Sequence, residues 1–394
     1  MTSIIDAIGD TPLLHLPSLS THYGLNLYGK AEFLNPAGSV KDRAALNLIQ
    51  GFEGIGELIR GSGQTVIEGT GGNTGVGLAF VCSIFGYKAI FTMPDNVSVE
   101  KIRAMENHGA SVILCDSSLG VGDESHYTSV ARKLNKDIEG SVHTNQFLNL
   151  GNMEAHEKNT GPEILHEFLR VKANAKCIDN NLPFDAFSCA AGTGGTISGI
   201  SKYLKSQYPS IHTCLSDVPG SGLKSYLATG KFGKTKNHET STKAEGVGIS
   251  RLVGNFAAGR GYIDGGINVS DVEGVKMAMY LAYKEGIFVG PSAAMNVVGA
   301  VKVGLRLKRE WKEKNLDSGE EYVPKVVTIL CDSGSSYNSK LYNQEWREAN
   351  GLGIEVGDIQ KDPAGYLKGL LDDSEGGYVA RGEACLFVGH EGGS

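Results

Sequence analysis

The stretch TVIEGTGGNTGVGLAFVCSIF, residues 65 to 85, decides the fold. Thr65 to Glu68 is a short run dominated by β-branched residues and reads as a strand, while Thr74 to Phe85 is long, apolar and free of proline, and reads as a helix. Working outward, Ala89 to Met93 reads as a strand, Ser98 to Asn107 as a helix and Ser111 to Leu114 as a strand. Strand and helix alternate, which is the rhythm of an α/β block built on a parallel sheet. The apolar stretch from Thr74 to Phe91 is cut by Gly86, Tyr87 and Lys88, whereas a membrane span needs about 20 mostly apolar residues, so a core helix followed by a strand is expected.

A second block repeats the rhythm, with strands expected near Asp185 to Ala190, His212 to Ser216 and Lys325 to Leu330. Its helices are expected near Thr196 to Ser206, Val272 to Glu285 and Pro291 to Glu310, where Pro291 suits a first helical turn because its missing N–H is no loss there. Between Thr229 and Thr242 the composition turns to Gly, Lys, Thr and Asn, a surface loop. Beyond about Asn350 the α/β rhythm fades, and residues 350–394 read as an appendage.

With 394 residues the chain can bury a large core and is expected to form two domains. The net charge of −7 is spread along the chain, which points to a small-molecule substrate rather than to nucleic acid or an anionic membrane. Seven cysteines stand far apart without a C-x-x-C pair, so neither a zinc site nor a disulfide framework is expected. The first arginine is Arg43, and no basic segment precedes a long apolar core near the N-terminus, so a cytoplasmic location is expected.

Four segments carry chemistry. In Asn35-Pro-Ala-Gly-Ser-Val-Lys-Asp-Arg43, a lysine opens a helix after a Pro/Gly turn; held inside the protein, Lys41 would present a neutral amine able to attack an aldehyde, while on its own it could equally be a surface lysine. Gly192-Thr-Gly-Gly-Thr196 lies between a strand and a helix, where backbone N–H groups, two hydroxyls and the helix N-terminus make an anion cup or simply a tight turn. Glu68-Gly-Thr-Gly-Gly-Asn-Thr-Gly75 has the same setting, and its Asn73 is either a ligand or a helix cap. Leu330-Cys-Asp-Ser-Gly-Ser-Ser-Tyr337 ends a strand with polar groups, the usual place for ligand contacts in an open α/β sheet. A dinucleotide site would need the glycine fingerprint after the first strand and an acidic residue about 20 positions on, and no convincing match exists.

NPAGSVKDR, EGTGGNTG, NQF, GTGGT, EGVG and CDSGSSY occur in an order that resembles the fold-type II pyridoxal-5′-phosphate (PLP) family containing cysteine synthase and cystathionine β-synthase. IDAIGDTPL near the start and TGPEIL after NQF extend the resemblance over roughly residues 3 to 345, and the asparagine loop starting Glu-Gly-Thr is most similar to the fungal-type cysteine synthase-like branch. The resemblance implies an α/β fold of two domains, each a mainly parallel sheet flanked by helices, with PLP in the interdomain cleft and a homodimer as the usual assembly. It places the smaller domain at residues 46–150 and the larger one at 1–45 with 151–349.

Carried over residue by residue, it implies that Lys41 forms the Schiff base with PLP and that Asn73 meets the cofactor's phenolic oxygen. Gly192, Thr193, Gly194, Gly195 and Thr196 would hold the phosphate, and Ser333 would face the pyridine nitrogen. Thr70, Gly71, Gly72, Thr74 and Gln146 would meet the substrate carboxylate, with Gly246 in the loop lining the pocket; many family members carry serine where this chain has Gly71. A hydroxyl at the ring nitrogen holds a proton there less firmly than a carboxylate would, which favours β-elimination and replacement through an aminoacrylate over transamination. Cysteine synthesis from O-acetylserine and sulfide is the leading expectation. Cystathionine synthesis, net β-elimination of cysteine and a catalytically retired PLP-binding scaffold are the alternatives.

Overall fold

The computed structural model describes residues 3–174, 182–232, 242–249, 251–316, 321–354, 357–368, 370–371 and 377–383. Its strands are β1 (Leu13–His15), β2 (Asn26–Lys30), β3 (Thr65–Gly69), β4 (Lys88–Pro94), β5 (Ser111–Cys115), β6 (Val142–His143), β7 (Ala186–Ala190), β8 (His212–Asp217), β9 (Gly265–Asn268), β10 (Lys325–Ile329) and β11 (Val379–Ala380). They form a four-stranded sheet in the order β5-β4-β3-β6 and a seven-stranded sheet in the order β1-β2-β10-β7-β8-β9-β11. Every pairing in the smaller sheet is parallel. In the larger one only the outermost strands, β1 on β2 and β11 on β9, run antiparallel.

Burial explains the parallel centre. Val326, Val327 and Ile329 of β10 are fully buried, as parallel strands covered by helices on both faces must be. The helix Pro291–Lys314 lies across β7 and β10, and its first fourteen residues are all buried. On the smaller sheet, Asn73–Phe85 is apolar nearly all round because it packs between the strands and the helix Lys41–Gly54.

The expected strands and helices of the two blocks occur within a residue or a few of their expected ends. The segment expected as one helix from Val272 to Glu285 is a helix Asp271–Tyr280 continued by a π-helical turn, Leu281–Glu285. Of the loop expected from Thr229 to Thr242, the first residue closes the helix Leu223–Thr229, and residues 233–241 lie outside the described residues.

The tail departs from the expected appendage. Gly357–Lys361 and Pro363–Lys368 are helices, and Ile359, Leu367 and Leu370 sink into the apolar core around the Pro291 helix. The Tyr366 ring stacks on Tyr280 at 6.3 Å, the Tyr23 hydroxyl donates to the Leu367 carbonyl at 3.2 Å, and β11 pairs with β9. The described part of the tail is therefore built into the larger sheet, and residues 384–394 lie outside the described residues. Among the described residues, no helix is long and apolar enough to cross a membrane, and no three His, Cys, Asp or Glu side chains gather as metal ligands.

Candidate active site

Lys41 is the first residue of its helix, and the turn before it is tied down on both sides. Gly38 takes a positive φ of 89°, the Ala37 N–H donates to the Asp42 carboxylate at 2.6 Å, and the Val40 N–H donates to the Cys331 carbonyl at 2.8 Å. Ser39 pairs with Asp332 in a one-residue antiparallel bridge, so the turn is stitched to the chain leaving β10. Two residues into the helix, buried Arg43 forks onto Glu32 at 2.7 and 2.8 Å and onto Glu163 at 2.6 and 2.7 Å. Glu32, fully buried, also accepts from the Thr11 hydroxyl at 2.7 Å and the Asn35 amide at 2.8 Å, and buried Lys30 pairs with Glu163 and Glu167 at 2.9 and 2.6 Å. These charges fix the start of the helix and hence the backbone of Lys41.

Lys41 opens onto a cavity of about 290 Å³ at the carboxyl ends of β3, β7 and β10. From the asparagine loop and its surroundings, Thr70, Gly71, Gly72, Asn73, Thr74 and Gln146 line it. From the other side come Gly192, Thr193, Gly194, Thr196 and Gly246. Gly195 starts the helix Gly195–Gln207 just behind the wall. Ser333 is not part of the lining: its hydroxyl meets Ser335 at 2.9 Å and its backbone pairs with Val289. The strand end instead gives Cys331 to the cavity, beside Ser292 from the first turn of the Pro291 helix. Burial pushes the Cys331 thiol up to about 12, and the Ser292 hydroxyl hydrogen-bonds it.

The asparagine loop rests on a buried carboxyl. Glu68 accepts from the Thr144 hydroxyl at 2.5 Å and the Gln146 N–H at 3.1 Å, while the Gln146 side chain accepts from the Thr74 hydroxyl at 2.5 Å and donates to the Gly69 carbonyl at 3.1 Å. Two of the expected carboxylate contacts are thus locked to each other. Burial raises the Glu68 pKa to about 7 against these hydrogen bonds. Because the folded value lies above the unfolded one, the native state keeps a proton that the unfolded chain releases, and this group erodes stability as pH rises from about 4.5 towards 7. Urea midpoints taken at pH 5 and pH 8 are expected to fall more in the wild type than in Glu68→Gln; equal falls in the two proteins would remove Glu68 from the account.

The cup is shaped by close backbone approach. A Cβ on Gly192 would stand 2.1 Å from the Gly246 carbonyl oxygen, and one on Gly195 would stand 2.2 Å from Asn152 Oδ1, so side chains are excluded where an anion would sit against N–H groups. Asn152 donates to the Thr193 hydroxyl at 2.9 Å, and its buried Oδ1 has no partner among the described residues. Thr196 meets the fully buried His156 at 3.2 Å, and burial, then Lys41 and Arg43, keeps that imidazole well below its ordinary pKa and neutral. A glycine-lined helix N-terminus, two hydroxyls and a lysine on the facing wall fit the phosphate and aldehyde of PLP.

A polar chain that motif reading missed runs beside the cavity. The Asn73 amide donates to Asp332 at 2.6 Å, the Tyr337 hydroxyl donates to the same oxygen at 2.5 Å, and Lys101 donates to Tyr337 at 2.9 Å. Lys101 also pairs with Glu245 at 2.6 Å, as does Lys340. Asn73 and Lys101 belong to helices on the smaller sheet, whereas Glu245 and residues 332–340 belong to the other side, so the chain spans the cleft. Asn73 keeps a second amide hydrogen for a ligand.

A family model described as pyridoxal-phosphate dependent enzyme matches residues 4–332. A Saccharomyces cerevisiae protein whose name calls it a mitochondrial cysteine synthase is 38% identical over 89% of this chain and 85% of its own. Cysteine synthase 2 of Schizosaccharomyces pombe is 38% identical over 86% of this chain and 83% of its own. Among solved structures, the O-acetylserine dependent cystathionine β-synthase of Helicobacter pylori superposes with a TM-score of 0.70 at 31% identity, covering 86% of this chain and 98% of that one.

Proposed function

Because the chain belongs to the pyridoxal-phosphate dependent enzyme family and is a cysteine synthase-like member of it, we propose that it makes cysteine from O-acetylserine and sulfide with Lys41 as its acid–base residue. The observation that carries this reading is a lysine at a helix start facing a glycine-rich anion cup across one cavity.

PLP, when bound, is an electron sink for charge building at the substrate Cα. Gly192 to Thr196 would hold its phosphate and Asn73, oriented by Asp332, its phenolic oxygen. Ser292 takes the place expected of Ser333 at the ring nitrogen, since its hydroxyl is on the cavity wall. Thr70, Thr74, Gln146 and the N–H groups of the asparagine loop would orient the substrate carboxylate. The Lys41 amine then takes the α-proton, acetate leaves Cβ with its bonding pair, sulfide bonds to Cβ and the amine returns a proton to Cα. Gly71 and Gly72 give the loop freedom to close and shield the reacting carbons from water.

Cysteine formation by PLP-reconstituted protein given O-acetylserine and sulfide tests the reading directly. Cystathionine from serine and homocysteine at a higher kcat/KM, or pyruvate from cysteine alone, would replace it with one of the sister reactions. Absence of all three in a protein that binds PLP would leave a retired scaffold.

Gly71 has no positive φ, and a Cβ there would meet nothing within 4 Å, so serine fits the position. A hydrogen bond to a charged group is worth about 1.5–3 kcal/mol, so Gly71→Ser is expected to raise kcat/KM for O-acetylserine by roughly 10- to 100-fold. An unchanged value in a PLP-loaded variant would mean that this position does not touch substrate. The domain division at 46–150, with 1–45 and 151–349 opposite it, and a homodimer complete the proposal; light scattering on the purified protein tests the assembly. The five described cysteines are all free, which suits a reducing compartment such as the cytoplasm, and cell fractionation would separate that from the mitochondrial location in one relative's name.

A further inference from the structure

Arg251 is a charged side chain on the cavity wall that the proposed chemistry leaves unused. Its guanidinium lies over the Phe147 ring, 5.0 Å from the centroid, next to Gln146 in the chain. Its charge also reaches His126 and Tyr127, at the start of the helix Tyr127–Asp137. Tyr127 in turn abuts the asparagine loop, since a Cβ on Gly69 would stand 3.4 Å from its ring. Arg251 therefore shares the cavity wall with the asparagine loop and with Gln146.

Among the described residues, no carboxylate lies within ion-pair distance of Arg251. Lys101, on the same wall, is different, being neutralised by Glu245 at 2.6 Å. Burial first and Arg251 second hold the neighbouring His126 imidazole below its ordinary value. Gly71, beside this corner, leaves open volume where a side chain could have stood. An unneutralised guanidinium facing open space in a cleft attracts an anion, and its planar fork matches a carboxylate.

We infer that Arg251 forms a subsite for a carboxylate on the incoming nucleophile, so that the acceptors include thiols bearing their own acid group as well as sulfide. This rests on the β-replacement reading. With mercaptoacetate, the thiolate sulfur would bond to Cβ as acetate leaves with its electron pair, giving S-carboxymethylcysteine.

The test compares mercaptoacetate with 2-mercaptoethanol, which is similar in size but neutral, as acceptors for O-acetylserine on the PLP-loaded wild type, Arg251→Met and Arg251→Lys. Intrinsic thiol reactivity cancels when the kcat/KM ratio of the two thiols is compared between proteins. The ratio is expected to drop at least tenfold in Arg251→Met and to be partly kept in Arg251→Lys. Independently of turnover, calorimetric titration with methylthioacetate, which cannot react, is expected to show binding to the wild type weakened at least fivefold in Arg251→Met. A spectrally intact Arg251→Met with the wild-type ratio and wild-type methylthioacetate affinity overturns the subsite. Failure of the wild type to join any nucleophile to O-acetylserine sinks the activity reading instead, and the titration still decides whether Arg251 binds the anion.

Discussion

Lys41→Ala is expected to lower kcat for cysteine formation by roughly 10²–10⁴-fold, the range for removing a positioned acid–base group. The loss should fall on chemistry rather than on folding. Lys41 is only partly buried, its side chain is no member of the Arg43 ion network, and the turn before it is held by backbone bonds to Cys331 and Ser333 that alanine leaves in place. The cup is untouched, so PLP should still bind, more weakly and without a covalent bond. Borohydride should fix the cofactor to a Lys41 peptide in the wild type and to no residue in the variant. A variant keeping more than a tenth of the wild-type kcat, or a label on another lysine, would move the chemistry away from Lys41.

Arg43→Ala is expected to have the largest effect on stability, a loss of about 3–5 kcal/mol, because removing one partner strands a buried charge. Glu32 is fully buried and takes two of its four hydrogen bonds from this guanidinium; Lys30 turns to Glu163 and Glu167 and cannot replace it. Arg43→Lys should recover only part of the loss, since an ammonium cannot fork onto both carboxylates. Pairing Glu32→Gln with Arg43→Met should recover more by removing both charges. Urea unfolding of the four proteins measures this, and a loss below about 1 kcal/mol in Arg43→Ala would show that Glu32 relaxes to another partner. PLP affinity should fall with stability, because Arg43 sits two residues from Lys41, the residue proposed to receive the cofactor.

What sequence reveals here depends on how local the deciding interaction is. Thr65 to Leu114 was legible because β3 is a buried β-branched run and Gly69, Gly71, Gly72, Gly86 and Gly109 mark three of the four junctions, while β5, mostly exposed, is marked only by Val112 and Ile113 after Gly109. Residues 192–196 were legible for the same reason, strand, turn and helix start being contiguous. β1, β6 and β11 were not, at two or three residues each, and β9 begins with two glycines that carry no strand signal. The expectation for Ser333 rests on a contiguous motif, yet the chain turns after Asp332, which points into the Asn73–Tyr337 network, and the hydroxyl on the cavity wall comes from Ser292, 41 positions earlier. One local signal for Ser292 existed: a hydroxyl right after Gly290-Pro291, at the mouth of a helix too apolar to be exposed. Nothing local marks Lys101, Glu245 or Arg251, whose meaning depends on which charges the fold brings beside them.

The larger sheet ends on each side in a very short strand running against its neighbour, three residues at β1 and two at β11. An open parallel edge offers a row of unpaired amides and carbonyls to any passing chain, and short reversed strands leave little such template. The tail is thus a guard against association: a protein ending before Val379 would expose the flank of β9, and its hazard would be edge-to-edge polymerisation while the cavity beside Lys41, at the carboxyl ends of the strands, kept its lining.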